Sequence, residues 1–198
     1  MGFYPRKITP GTLQGDEGGS VDRAFVVDYK STPVLADDDR LAADAAMTAA
    51  ETTTVSTFLA QPDVPRTIEV LPGGTTADVP AGDVTINGTD ANGQTISEAL
   101  TFAANATTKQ TTTKAFASVT SVVFPVQDGA SAATYDIGIG LAIGLYHVIT
   151  DPEQMLFNLF DGADDAGSIT TNADVAKNLF TAAGTFDGAK QLRLLYVA

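Results

Sequence analysis

Apolar and polar residues alternate along much of this chain with the two-residue period of half-buried β-strands. The clearest stretch is residues 61–145. It opens with Gln61-Pro62-Asp63-Val64-Pro65-Arg66-Thr67-Ile68-Glu69-Val70, where residues 67–71 alternate before a Gly73-Gly74 turn. Residues 83–87 and 94–102 alternate around Asn92-Gly93. That dipeptide readily supplies a tight turn with positive φ, so the pair predicts a hairpin. In its second strand Ile96, Leu100 and Phe102 share a face with Glu98, which predicts a bulge or an edge position. Residues 114–124 predict a further strand whose period slips between Phe116, Val119 and Val122, as a bulge or two-sided burial would cause. The stretch closes at residues 135–145 with Tyr-Asp-Ile-Gly-Ile-Gly-Leu-Ala-Ile-Gly-Leu.

Outside it, residues 24–29 predict a first strand, residues 52–60 return to β chemistry, and residues 155–160 form another strand before turn-rich residues 161–172. The chain ends as a predicted hairpin: Leu179-Phe180 and neighbours, the turn Asp187-Gly188, then residues 191–197. In that last segment Leu192, Leu194 and Tyr196 alternate with Arg193, Leu195 and Val197, the pattern of a strand covered on both faces. Residues 35–51 are ambiguous. Their alanines favour helix and residues 37–39 could cap one, yet Leu41 and Met47 are the only large apolar residues between Ala36 and Glu51. They read as a short helix or an irregular loop.

Nine or ten short strands at the ~8–12-residue spacing of sandwiches and barrels predict an all-β fold. The expected architecture is an antiparallel β-sandwich, Ig-like or jelly-roll-like, over residues 23–198. No fixed-period repeat is visible, which argues against a propeller or solenoid. Residues 1–22 differ: Gly2, Pro5, Pro10, Gly11, Gly15, Gly18 and Gly19 predict an extended N-terminal arm. Such an arm stays disordered or lies along a partner. Its first fifteen residues carry Arg6 and Lys7 and no acid.

The charge makes that basic bias stand out. The chain has 24 acids against 11 bases, a formal net charge of −13. Such a field repels polyanions, so direct nucleic-acid binding is not expected. There are no cysteines, which removes disulfides, thiolate catalysis and zinc–thiolate sites. No segment approaches the ~20 apolar residues of a membrane-spanning helix. The longest apolar run, residues 137–148, contains three glycines and His147. Residues 1–20 lack the hydrophobic run of a secretory signal.

Candidate chemistry is sparse. Gly138, Gly140 and Gly144 have the spacing G-x-G-x-x-x-G, which is not the dinucleotide fingerprint, and nothing after them predicts a phosphate-binding helix. Glycines that let strands kink and pack closely explain them better. Asp90, Asn92 and Glu98 faintly echo a Ca²⁺ loop, and Asp161, Asp164 and Asp165 cluster in another. The full loop pattern is missing, and turn chemistry accounts for both. His147 is the only histidine and reads as a packed or surface residue. Paired carboxylates could in principle serve glycoside hydrolysis, but tryptophan, a common sugar platform, is absent. No cofactor, metal or enzymatic activity is expected.

Four framework motifs carry a resemblance. They are Pro-Asp-Val-Pro-Arg-Thr-Ile-Glu-Val at 62–70, Gly-Thr-Asp-Ala-Asn-Gly-Gln at 88–94, Lys-Ala-Phe-Ala-Ser-Val at 114–119, and the glycine run ending Gly144-Leu145. Over residues 55–146 the chain resembles small structural proteins of tailed-phage virions. The resemblance implies an auxiliary capsid protein of the decoration or cement type on the capsid exterior, assembled in the host cytoplasm. Its implied partners are the major capsid protein and further copies of itself, with a homotrimer favoured. On that expectation Tyr4, Arg6 and Lys7 of the arm contact the capsid. The competing readings are a tail- or neck-associated structural protein and a carbohydrate-binding adhesion module.

Overall fold

The computed structural model describes residues 13–14, 20–21, 25–129 and 132–198. The described residues are organised almost wholly as antiparallel strands. In chain order these are β1 (Leu13–Gln14), β2 (Ser20–Val21), β3 (Val26–Ser31), β4 (Asp37–Ala46), β5 (Thr53–Val55), β6 (Arg66–Gly74), β7 (Gly82–Thr89) and β8 (Thr95–Phe102). There follow β9 (Gln110–Phe116), β10 (Ser118–Phe124), β11 (Ala133–Gly144), β12 (Met155–Phe160), β13 (Ala163–Asp164), β14 (Ser168–Thr170), β15 (Leu179–Thr181) and β16 (Leu192–Val197). The expected arm of residues 1–22 lies largely outside the described residues, as do Tyr4, Arg6 and Lys7; its described part is the minimal ladder of β1 with β2.

Three larger sheets build the body. One runs β5-β10-β7-β8, and another runs β13-β12-β16-β3. Between them the central sheet runs β14-β15-β11-β6-β9. The long strand β11 has β6 along one edge and two strands in succession along the other. β4 pairs with its first half and β15 with its end.

The sheets enclose two hydrophobic cores. The first lies between the β5-β10-β7-β8 sheet and the β4-β11-β6 part of the central sheet. Ile68, Val84, Ile86, Phe116, Val122, Phe124, Tyr135 and Ile137 are fully buried there. The second gathers Ile143 and Leu145 at the end of β11 with Phe180, Phe186, Leu192, Leu194 and Tyr196. β11 therefore contributes side chains to both.

The hairpin around Asn92-Gly93 forms as the alternation predicts. β7 and β8 pair in unbroken register from Gly82↔Phe102 to Thr89↔Thr95, and Gly93 has φ +76°. β8 is an edge strand, which reconciles Glu98 with its apolar neighbours. The Glu98 carboxylate accepts from the backbone of Thr113 and Lys114 at 2.7 and 2.9 Å, tying that edge to β9.

Three local expectations are corrected. Residues 35–51 are neither helix nor irregular loop over most of their length, because residues 37–46 form β4. Pairing with β11 supplies its hydrogen bonds, Leu41 is fully buried, and the register is adjusted at Asp44, whose φ is +47°. Small side chains make the approach possible: a Cβ at Gly138 would collide with the β4 backbone at Asp37 and Asp38. Residues 114–124 belong to two strands. The chain leaves the central sheet after Phe116 and enters the neighbouring sheet at Ser118, and this crossing, with the expected bulge between Val119 and Ser121, produces the slip in period. The C-terminal segments flanking Asp187-Gly188 do not pair with each other. β15 joins β11 and β14, whereas β16 joins β12 and β3.

Where the cores meet, β11 makes a wide bulge. Its register against β6 jumps from Ile139↔Ile68 to Ile143↔Arg66, leaving residues 140–142 opposite Thr67 alone. Arg66 fills the junction and is fully buried. Its Nε donates to the Gly140 carbonyl at 2.9 Å, and its Nη2 donates to the same oxygen. Its Nη1 donates to the Val34 carbonyl at 3.0 Å and lies 3.4 Å from Asp63 Oδ1. The guanidinium also faces the Phe186 ring at 5.3 Å. Burial pulls the Arg66 pKa below its ordinary value, and Asp63 opposes that pull.

Removing this cation leaves the Gly140 and Val34 carbonyls without their donors. Arg66→Met is expected to destabilise the protein by about 3–5 kcal/mol. Arg66→Lys restores charge but not the fork, and falls between. Urea denaturation of the three proteins, with midpoints compared at equal m, checks the order.

Candidate functional site

Strand alternation on β6 sends Ile68 and Val70 into the first core and Thr67 and Glu69 to the opposite side. There the bulge of β11 and the start of β4 frame an open groove of about 570 Å³ lined by residues 36–39, Glu69, Lys109 and Leu141. Leu141 stands in the bulge and is 53% exposed.

Glu69 forms the floor. It is 7% exposed and lies opposite Gly138 in the ladder, while a Cβ at nearby Gly140 would press on Thr67 Oγ1 and the Glu69 side chain. Lys109 Nζ bridges Glu69 Oε2 at 2.7 Å and Asp38 Oδ1 at 2.8 Å. Burial pushes the Glu69 carboxyl above the usual carboxylate range; Lys109 opposes this and a hydrogen bond with Asp38 adds to it. Asp38 moves the other way, held low first by Lys109. Both carboxylates hold Lys109 above its ordinary value. At the rim, Asp39 is raised by its hydrogen bond with Asp37. The arrangement keeps one carboxyl prone to hold a proton beside one prone to lose it, with an ammonium bridging them. Structurally the same contacts tie β4, β6 and the start of β9.

The other candidates resolve into architecture. Gly138, Gly140 and Gly144 are points of close approach: a Cβ at Gly144 would lie 2.5 Å from Ala115 Cβ and 3.1 Å from Pro65 Cβ. Asp90 accepts from the backbone of Asn92 and Gln94 at 2.8 and 2.9 Å, the hydrogen bonds of an Asx turn. Asp165 accepts from Ala183 N at 3.0 Å, while Asp161 occupies a turn with φ +54°. Among the described residues no group of His, Asp or Glu side chains converges as metal ligands would. His147 packs edge-on against Phe25 with ring centroids 5.0 Å apart. The rings of Tyr29 and Tyr146 lie tilted against each other with centroids 5.8 Å apart.

Three structural polar residues had no local signal in the chain. Besides Arg66, the buried Asn178 accepts from Ile149 N at 3.0 Å and donates to the Asn172 and Asp174 carbonyls at 2.7 and 2.9 Å. Gln61 acts as an extra strand residue: its amide accepts from Val119 N at 2.8 Å and donates to Val119 O at 3.1 Å.

No protein-family model, curated protein or solved structure matches the chain. Among the described residues no helix is long and apolar enough to cross a membrane.

Because the folded-state pKa of Glu69 lies above its ordinary 4.5, its contribution to stability is fully present below that pH and is lost as pH rises through the raised value. Glu69→Gln removes that loss. The native protein is therefore expected to lose stability relative to the variant as pH rises above about 4.5. Asp38 acts oppositely: its contribution is present above 3.8 and is lost as pH falls through its depressed value. Thermal melts of both proteins across this range measure the difference in slope.

Proposed function

We propose that this chain is a non-enzymatic structural protein of a tailed-phage virion that decorates or cements the outer surface of the capsid. The observation that carries the proposal is where the four resembling motifs lie. They interlock at one place. Arg66 of the first motif donates to Gly140 of the glycine run, and Gly144 N donates to the Pro65 carbonyl at 2.7 Å. Phe116 of the Lys114–Val119 step pairs opposite Arg66. Gly88, which opens the hairpin motif, packs so closely on that step that a Cβ would strike the Ser118 carbonyl and the Phe116 ring. These motifs thus form the junction of the two cores, a framework of the kind that a load-resisting shell component requires.

On this proposal the partners are the major capsid protein and other copies of the chain, with a homotrimer favoured. The basic end of the arm, with Tyr4, Arg6 and Lys7, supplies a capsid contact. Repetition over a lattice multiplies weak individual contacts through avidity.

Cryo-electron microscopy of phage heads lacking the chain, incubated with the purified protein, tests this directly. Repeated density over the shell is expected, and deletion of residues 2–20 is expected to lower occupancy. Density only at the tail or neck, or none at all, would sink the proposal. Unchanged occupancy after the deletion would remove the arm from it.

A further inference from the structure

We infer that the outer face of the β13-β12-β16-β3 sheet is the surface on which a second copy of this chain docks. The inner face of that sheet buries Leu192, Leu194 and Tyr196 in the second core. Its outer face follows from the register: Val26 lies opposite Val197, Asp28 opposite Leu195, and Lys30 opposite Arg193. On the other side of β16, Phe157 lies opposite Leu195 and Leu159 opposite Arg193. A register shift between Met155 and Phe157 adds Leu156, which is 52% exposed, while Val26 on the edge strand is 59% exposed. Phe157, Leu159, Leu195 and Val197 are half-buried there, although β16 has the two-sided apolar pattern of a strand buried on both sides. Partly exposed apolar side chains grouped on one sheet face are the usual mark of an interaction surface.

Electrostatics selects the occupant. The face carries Asp28 and Asp164 against Lys30 and Arg193, so its formal charges sum to zero in a chain of −13. Moreover, Asp28 is already neutralised in place, by Arg193 at 2.8 Å and Lys30 at 3.0 Å. Those contacts hold the Asp28 carboxyl down at about 2, the hydrogen bond from Arg193 foremost. Arg193 in turn stacks over Phe157 at 5.4 Å. Three of the four charges on this face are thus tied to one another, and Asp164 stands at its margin on the two-residue edge strand β13. A basic partner would be drawn instead to the strongly acidic remainder of the molecule. Two copies, which repel one another over most of their surface, can approach through a neutral apolar face and stack the sheets about 10 Å apart. The inference is independent of the capsid proposal, since such docking requires only the isolated chain.

Sedimentation velocity of the isolated full chain, from about 1 to about 200 µM, tests it against dissociation constants in the micromolar range. Concentration-dependent association is expected. It should persist or strengthen as salt rises from about 50 to about 500 mM, because screening weakens the repulsion between acidic copies. Leu156→Glu is expected to weaken association at least about tenfold. Val26→Glu, on the edge strand, provides a second disruption, and circular dichroism establishes that each variant folds. Leu59→Glu, at an unrelated side chain that is 78% exposed, should associate as the native chain does. A native chain that stays monomeric throughout overturns the inference. So does association that folded Leu156→Glu and Val26→Glu leave unchanged, which would place the contact on another surface.

Discussion

A guanidinium buried between two hydrophobic cores is the constraint on which the rest of this structure depends. A charge in an apolar interior is tolerable only when its donors are met with good geometry. Arg66 meets that condition through the Gly140 and Val34 carbonyls and the Asp63 carboxylate. The Gly140 carbonyl is free to accept because residues 140–142 leave the ladder opposite Thr67. Bulge and arginine are therefore mutually required. Together they allow one pair of strands, β6 and β11, to serve both cores: the ladder ends its first register at Ile139 and resumes at Ile143, where the second core begins.

The same bulge shapes the surface. It lifts Leu141 outward and leaves Thr67 and Glu69 facing a glycine instead of a side chain, and this opens the acidic groove. Glu69 is then buried without full solvation, so its carboxyl tends to keep its proton, and Lys109 is recruited to hold it beside Asp38. On the far side of the second core the sheet built on β16 obeys the opposite rule. There Asp28 is paired with Arg193 and Lys30, and the outer face is formally neutral and largely apolar. Acidic groove and neutral sheet face give the molecule two chemically distinct surfaces on one framework.

How much of this was legible followed the range of the interactions. The β7–β8 hairpin was, because Asn92-Gly93 and the flanking alternation are local signals. The close packing at the glycine run was also legible, since only a missing side chain permits it. Strand β4 was not. Its alanines carry helix propensity, and its partner β11 lies some 90 residues away in the chain, as the Asp44–Asp136 hydrogen bond illustrates. The sheet crossing after Phe116 was visible only as a slip in period, which a bulge would equally produce. Glu69 and Asp38 looked like ordinary strand and loop acids because nothing in their neighbours announces Lys109.

The sequence by itself determined the all-β class, most strand positions, the acidic character of the chain and the want of thiol chemistry. Those properties are written in local period, turn residues and composition. The tertiary structure alone decided which strands share a sheet, that the hydrophobic residues divide between two cores, and that Arg66 becomes the junction between them. It also decided which face of β16 stays half-buried. Each of these depends on contacts between residues far apart in the chain, and a buried charge, a bulge or an open sheet face is defined only by what packs against it.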